Sequence, residues 1–355
     1  MININIDAYT YINGNKKRSG AAQGGVFCRT VLLLPLILGI LAFSACGRDD
    51  KTGRTASQSG IDSRSGAVSQ SGAAGESKTA LSGIAGERRI ISTAPSNTEI
   101  IIGLGLGDRI IAADKYSLAL PGLPAGIREI DFFYPDQEAI LGLAPDIIIS
   151  SETNAYGGGA NPYKPLEDSG IELLFVPTSR SIAGIKRDIG IIAEVLGAGD
   201  RGEELIRIME REIEEVAEIG RSLAAFPSAP KTVYLEISPF PDPVTTGGDT
   251  FLDEMIGIIG AVNVFADKSG WIAPGAEAIL ERDPEVILTN VNFLDDPVGE
   301  IKARPGFDGL RAVREGRVYL IDADSSSRPS QHITLALRQM ARSVYPEEYA
   351  GLKDE

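Results

Sequence analysis

The sequence predicts an α/β protein: two similar lobes with mostly parallel sheets, joined by one long helix. Three observations carry that expectation. Short runs such as Ile147 to Ser150 and Val286 to Thr289 are apolar without alternation, the pattern of strands buried on both faces. They alternate along the chain with segments of helical period. One periodic stretch, Asp200 to Phe226, would be roughly 40 Å long at 1.5 Å per residue, enough to pass from one lobe to the other.

The 355 residues leave room for about two domains of ~150 residues, plus targeting and linker sequence. Hydrophobic residues make up 43% and charged residues 23%, which suits a globular protein with a real core. The formal charge is −15, and four basic residues against one acid lie before Cys46, so the remainder is more acidic still. Such a chain lacks the Lys/Arg-rich surface that nucleic acid requires, and no nucleic-acid partner is expected. There is one histidine, His332, and two cysteines, Cys28 and Cys46, both near the N-terminus. Zinc sites draw three or four ligands mainly from His and Cys, and a Ser-His-Asp triad needs its base at one defined place. No metal, cofactor or disulfide framework is expected.

Val31 to Phe43 is apolar and uncharged but, at thirteen residues, shorter than the ~20 of a spanning helix. It follows Lys16, Lys17, Arg18 and Arg29, the layout of a secretory signal. Phe43-Ser44-Ala45-Cys46 resembles the bacterial lipobox, with Phe43 where that motif prefers Leu. The resemblance implies a lipidated Cys46 as the mature N-terminus. The alternatives are an uncleaved anchor, or an ordinary signal beside a stray cysteine. Gly47 to Gly86 is rich in Gly, Ser, Ala and charge and has no aromatic residue. It cannot bury enough apolar surface to offset chain entropy, which predicts a flexible tether.

From Arg89 the texture becomes that of a folded domain. Arg89 to Ser92 reads as a strand, Thr98 to Leu106 as a helix and Ile110 to Ala113 as a strand. Gln137 to Leu143 reads as a helix, Leu166 to Ser169 as the end of another, and Leu173 to Val176 as a strand. Ser181 to Leu196 carries apolar residues at Ile182, Ile185, Ile189, Ile192 and Leu196. After Gly197-Ala198-Gly199, the long helix carries Leu205, Ile208, Met209, Ile213, Val216, Ile219 and Leu223 on one stripe. Asp200, with Glu203 three residues on, is its expected N-cap. Pro227 and Pro230 close it. A second alternation follows: strands at Val233 to Ile237, Val286 to Thr289 and Val318 to Asp322, and helices at Thr250 to Ile259, Ala276 to Arg282 and Thr334 to Ser343. The halves echo each other, since Glu138 to Ile149 (EAILGLAPDIII) has the cadence of Glu277 to Leu288 (EAILERDPEVIL).

Several of these segments, in order, resemble the substrate-binding proteins of ABC importers for iron-siderophores, haem and vitamin B12. They are Arg89 to Gly107, Glu138 to Ile149 with its L-x-P-D, Gly247 to Phe265, Trp271, Arg304-Pro305-Gly306, Val313 to Tyr319 and Tyr345-Pro346. The resemblance covers about 89–349. It implies two Rossmann-like lobes bridged by one rigid helix, an iron chelate or corrinoid between them, and ABC permease subunits as partners. It further implies an extracytoplasmic protein held to the membrane through its lipid. The expected organisation is a signal peptide over 1–45, a lipid-attached linker over 46–88, a first lobe over 89–199, an inter-lobe helix over 200–227, a second lobe over 228–349 and a tail over 350–355. In the family one glutamate per lobe meets the permease. Glu138 stands at the matching place in the first lobe. In the second the match falls on Gly257, with Glu254 a turn earlier.

Ligands of open α/β sheets sit outside the carboxyl ends of the strands. The candidate contacts there are Ser96, Asn97, Tyr116, Phe132, Phe133, Tyr134, Asn154 and Tyr156 from the first lobe. Phe240, Asn290, Asn292 and Arg328 come from the second. Aromatic and amide side chains on two arcs suit a large flat ligand. Each has a plainer alternative. The Phe132 cluster could pack on the following helix, and Arg328 could pair an anionic chelate oxygen or a surface acid. His332 and Trp271 could be ligand contacts or structural residues. Gly157-Gly158-Gly159 is not followed by Lys-Ser/Thr, so it is no nucleotide P-loop. The rival functions are a chelate-modifying enzyme on the same scaffold, for which no nucleophile-base pair is visible, and a sensor or protein-interaction module.

Overall fold

The computed structural model describes residues 88–153, 161–224 and 229–352. The signal segment, Cys46, nearly all of the linker, Asn154, Tyr156 and Pro227 lie outside the described residues. In the first sheet β1 (Ile90–Ser92), β2 (Ile110–Asp114), β3 (Arg128–Ile130), β4 (Ile147–Ser151) and β5 (Glu172–Val176) are all parallel, in the order β3-β2-β1-β4-β5. The order reverses at β1, so the carboxyl ends of β1 and β4 flank the topological switch point. Helices α1 (Pro95–Gly103), α2 (Gln137–Gly142), α3 (Lys164–Asp168) and α4 (Ile182–Val195) accompany the strands. The first helix starts three residues before the sequence expectation, because Pro95 at its first position already has a helical φ and no N–H to satisfy. It ends at Gly103, where Gly105 takes φ +70° and the Leu106 N–H returns to Ile101 O at 3.0 Å.

The second sheet holds β6 (Thr232–Ser238), β7 (Val244–Thr246), β8 (Val262–Asn263), β9 (Trp271–Ile272), β10 (Val286–Thr289) and β11 (Val318–Leu320). Its order is β11-β10-β6-β7-β9, with β8 also against β6. β7 runs antiparallel to both β6 and β9, so this sheet is mixed. The five residues between β6 and β7, three of them proline, are too few for a crossover and suffice for a hairpin. The sequence missed β3, β7, β8 and β9 because two- and three-residue strands carry no periodicity. The last strand stops at Leu320 and not at Asp322, whose carboxylate caps the next helix at Ser325 N (2.8 Å).

Between the sheets runs α5 (Gly199–Ala224), 26 residues long. Asp200 lies inside its first turn and is not the cap; the first intrahelical bond is Gly202 N to Ala198 O, 3.0 Å. Gly202, Met209, Val216 and Gly220 are buried, with Leu205, Ile206, Ile213, Ile219 and Leu223 packed beside them. Ile206, and not Ile208, joins the stripe. Helices α6 (Phe251–Ile258), α7 (Ala276–Arg282), α8 (Pro297–Lys302), α9 (Arg311–Arg314), α10 (Ala323–Ser327) and α11 (Ile333–Val344) complete the second lobe.

Strand alternation divides the apolar residues into an inner and two outer cores. Ile90, Ile147 and Ile149 point inward, as do Val233, Leu235, Val286 and Leu288, and all belong to one continuous cluster that includes α5. Ile91 and Ile148 pack outward in the first lobe, Tyr234 and Ile287 in the second. The two lobes therefore share a core.

The internal echo has a structural counterpart. Ala144 (φ 47°) and Asp283 (φ 38°) end α2 and α7 in the left-handed conformation, each one residue before a proline that cannot continue a helix. The next residues, Asp146 and Glu285, accept the backbone N–H of Arg89 (2.7 Å) and of Thr232 (3.0 Å), at the starts of β1 and β6. The acid of the P-D/P-E pair is a clasp between adjacent strands.

The contact of α5 with the second lobe is close at Gly220, where an added Cβ would lie 2.0 Å from Ile258 O and 3.0 Å from Gly260 N. Gly220→Ala gains about 1 kcal/mol of helix propensity but overpacks a backbone contact, costing typically 1–3 kcal/mol and more when backbone must move. We expect urea unfolding to show a net loss of about 2 kcal/mol. Gly257→Ala on the exposed face of α6 meets nothing within 4 Å and should gain a few tenths to 1 kcal/mol. Equal effects at both positions would contradict the packing described.

Candidate functional site

The carboxyl ends of the two sheets meet across one ion pair. Glu99, on the second turn of α1, is 4% exposed and accepts Arg328 Nη1 at 2.8 Å. Arg328 follows α10 in the second lobe and also holds Asp324, at 2.8 Å. Ser330 Oγ donates to the other Glu99 oxygen, and Gln331 Nε2 to the Glu99 carbonyl at 2.9 Å. A charge this buried is tolerated only because both oxygens are bonded. Beside it, Asp114 at the end of β2 is fully buried. Burial pushes its carboxyl pKa up, against hydrogen bonds from Ser117 and the backbone of residues 116 and 117 and the nearby Arg328 charge. A hydroxyl chain runs on from there, Ser117 Oγ to Thr98 Oγ1 (3.0 Å) and Thr98 Oγ1 to Ser92 Oγ (2.7 Å).

Of the sequence candidates, Ser96 and Asn97 form the first turn of α1 itself, with Ser96 half-buried and Asn97 buried. Asn290, just past β10, is also buried, and its amide donates to Ser326 Oγ (3.0 Å) and Ser327 Oγ (3.1 Å). Asn292 is exposed. Asp131 accepts the N–H groups of Phe133 (2.9 Å) and Tyr134 (3.0 Å) and so shapes their loop. In that loop Phe132 is buried, Phe133 half-buried and Tyr134 84% exposed. Tyr163, whose hydroxyl pKa burial pushes up to about 12, donates to Phe132 O at 3.0 Å from beneath. Phe132 packs on Phe133 (centroids 4.3 Å) and Tyr116 (6.3 Å), and the Lys115 ammonium lies 4.8 Å from the Tyr116 ring centre. Phe132 thus packs within its own loop and on Tyr116, and no contact with the following helix α2 is among these.

In the second lobe Phe240 is half-buried against Phe307 (6.3 Å) and under the Arg304 guanidinium (4.9 Å). Arg304 is itself held by both oxygens of buried Glu236 and by Glu300. Burial raises the Glu236 pKa, and Arg304 opposes that shift. Trp271 is half-buried and packs edge-on against Phe251 at 6.3 Å. His332 is exposed at the start of α11 beside Gln331 (3.1 Å), and no cluster able to hold a metal occurs among the described residues.

The two expected permease contacts differ. Glu138 is exposed in the first turn of α2. Glu254 is exposed on α6, yet its carboxylate accepts the Ile182 N–H of the first lobe at 2.8 Å, where it caps α4. Arg328, for which the sequence left an anionic ligand and a surface acid open, pairs with acids from both lobes. Its acids are not only the exposed Asp324 but also Glu99, buried in the opposite lobe. Glu99, Asp114, Ser330 and Gln331 were missed by the sequence reading. The available signal was the single charge in the otherwise apolar helix TEIIIGLGL, a residue that must find a partner when buried. A separate recess of about 360 Å³ lies at the amino end of the first sheet, lined by Leu106, Arg109, Ala198, Asp200 and Arg201. Arg201 there donates to Leu104 O at 3.0 Å.

Two measurements check these electrostatics. Removing one partner of a buried pair costs about 3 kcal/mol or more, so Glu99→Ala should lower unfolding free energy by that order. Adding Arg328→Met should then cost less than the two single changes together, by at least about 1 kcal/mol; strict additivity would mean the pair does not couple the lobes. Asp188 on α4 is 2% exposed, bonded by Ser179 Oγ, and its pKa is pushed up to about 6 by burial. Nearby Arg187 opposes the shift and Glu152 adds to it. Its folded pKa lies above the unfolded value, so its contribution is full below about pH 4 and is lost as pH rises through about 6. Asp188→Asn should therefore match the parent near pH 4 and exceed it at pH 7.5 by on the order of 2 kcal/mol. An unchanged pH profile of thermal unfolding would rule this out.

A family model described as periplasmic binding protein matches residues 90–325. An uncharacterised ABC transporter substrate-binding lipoprotein, YvrC of Bacillus subtilis, is 30% identical over 265 residues, covering 74% of this chain and 81% of that one. A vitamin B12-binding protein of Photorhabdus laumondii is 30% identical over 263 residues, covering 72% and 87%. The crystal structure of a possible iron-binding, periplasmic solute-binding protein of Staphylococcus epidermidis superposes with a TM-score of 0.64 at 28% identity, over 73% of this chain and 98% of that one. With its two α/β lobes, its long connecting helix and these matches in hand, the chain belongs to the periplasmic binding protein family of ABC-importer substrate-binding proteins.

Proposed function

We propose that the protein captures an iron chelate, haem or a corrinoid between its lobes and delivers it to the permease of an ABC importer. It works outside the cytoplasm, held to the membrane by a lipid on Cys46. The observation that carries this reading is the meeting of the two sheets' carboxyl ends at the Glu99–Arg328 pair, with aromatic side chains on both sides. Family membership supports it, because this is a family of binding proteins and not of enzymes. The chelate-modifying enzyme and the interaction module have no comparable support.

Within the site, Phe133, Tyr134 and half-buried Tyr116 are first-lobe rings with surface left to offer a ligand, and Phe240 is their counterpart. Tyr116, Asn97 and Asn290 stand at the strand ends, and Asn154 and Tyr156, which follow β4 in the sequence, are assigned to the same role. Glu138 is assigned to permease contact, since an exposed first-turn acid is open to a basic partner surface. Glu254, whose carboxylate also caps α4, is assigned to the same role in the second lobe.

Isothermal titration with cyanocobalamin, ferric siderophores and haemin identifies the ligand. Truncating a buried aromatic anchor typically costs about 2 kcal/mol, near a 30-fold loss of affinity, which we expect for Phe133→Ala. Glu138→Ala should keep solution affinity and slow ligand-stimulated ATP hydrolysis by the reconstituted importer. The reverse pattern, with affinity lost in Glu138→Ala and kept in Phe133→Ala, would overturn this division.

A further inference from the structure

We infer that Arg304 is a positioning residue for ligand binding: its guanidinium fixes the ring of Phe240 at the carboxyl end of β6. The inference rests on the proposed function and extends it to a buried residue behind the ring. Phe240 lies two residues past β6, in the five-residue connection to β7. Pro239, Pro241 and Pro243 have no N–H to donate, so this connection has little backbone bonding with which to hold a ring in place. The first lobe holds its aromatic loop differently. There Asp131 accepts the N–H groups of Phe133 and Tyr134, and the Tyr163 hydroxyl donates to Phe132 O at 3.0 Å. In the second lobe side chains take that part. The Phe240 ring meets Phe307 edge-on, with centroids 6.3 Å apart and planes at 87°, and the Arg304 guanidinium carbon lies 4.9 Å from its centre.

The guanidinium is itself held from two sides. Nη1 and Nη2 donate to the two oxygens of Glu236 at 2.5 and 2.8 Å. Nε donates to Glu300 Oε1 at 3.0 Å, and Nη2 also to Glu300 Oε2. Glu236 is 1% exposed and accepts the Tyr234 hydroxyl as well, at 3.3 Å. Four of the five N–H groups are thus engaged along the edges of a planar group. What remains are its flat faces, which suit rings, and Phe307 lies 5.4 Å away beside Phe240. Phe240 is half-buried, so part of the ring is held while part stays open. A ring already set in place spares a ligand the entropy of ordering it. Lysine cannot substitute here, because a point charge on a flexible stem neither spans two carboxylates nor lies flat on a ring.

The test titrates the full-length protein in detergent with cyanocobalamin, ferrichrome and haemin, and carries the probe that binds through the variants. We expect Phe240→Ala to weaken that probe at least about 10-fold. Arg304→Lys should weaken it at least about 5-fold, the size of one desolvated cation–ring contact. In the Phe240→Ala background, Arg304→Lys should weaken it less than about 2-fold, because the ring it positions is gone. Thermal unfolding is followed in parallel. A purely structural Arg304 would lower the unfolding temperature and leave the affinity of the folded protein unchanged, or weaken binding equally in both backgrounds. Either result overturns the inference. If Arg304→Lys does not fold, the double variant Glu236→Gln/Arg304→Met, which leaves no buried carboxylate unpaired, takes its place under the same expectations. Undiminished affinity in Phe240→Ala also overturns the inference and leaves the proposed function standing. Failure of all three probes to bind the parent protein would overturn the proposed function, and this inference with it.

Discussion

The position of the two lobes depends on a charge that cannot be left alone. Glu99 sits on an apolar helix with almost no exposure, and among the described residues Arg328 and Ser330, from the opposite lobe, satisfy its carboxylate oxygens. Separating the lobes there would strand a buried carboxylate without partners, which is far more costly than the pair is favourable. The ion pair thus contributes less to net stability than to defining one arrangement. Glu254 repeats the device on a smaller scale by accepting the Ile182 N–H across the same boundary.

The shared inner core acts in the same direction. Helix α5 is not a strut between two finished domains, since its buried residues belong to the cluster that includes the inner faces of both sheets. Its C-terminal half is fixed further by Tyr349, whose hydroxyl reaches Ile259 O (3.1 Å) and Val216 O (3.3 Å). Close helix contact at Gly202 and Gly220 lets those backbones approach where any side chain would collide.

The repeated helix-to-strand unit shows how a short motif can have a purely mechanical meaning. In both lobes the helix is stopped by a left-handed residue before proline, and the following acid ties the next strand to its neighbour. Glu138 and Glu277 fall at the same place in the two units, each exposed in the first turn of its helix. The motif places the strands; it says nothing of the ligand.

What the sequence determined by itself was the class of fold and its order of elements. Doubly buried strands such as Ile147–Ser151 and Val286–Thr289 must be apolar throughout, and a helix serving two lobes must keep its stripe over many turns, so both constraints are visible locally. The family likeness was legible for the same reason. Only the tertiary structure decided the site's electrostatics. Glu99 and Arg328 are 229 residues apart, and nothing local marks a charge as paired across that distance. The short strands β7 to β9 and the burial of Phe132 beneath exposed Tyr134 were likewise settled by neighbours distant in sequence. Periodicity records which face a residue presents, whereas pairing of polar groups depends on which two faces finally meet.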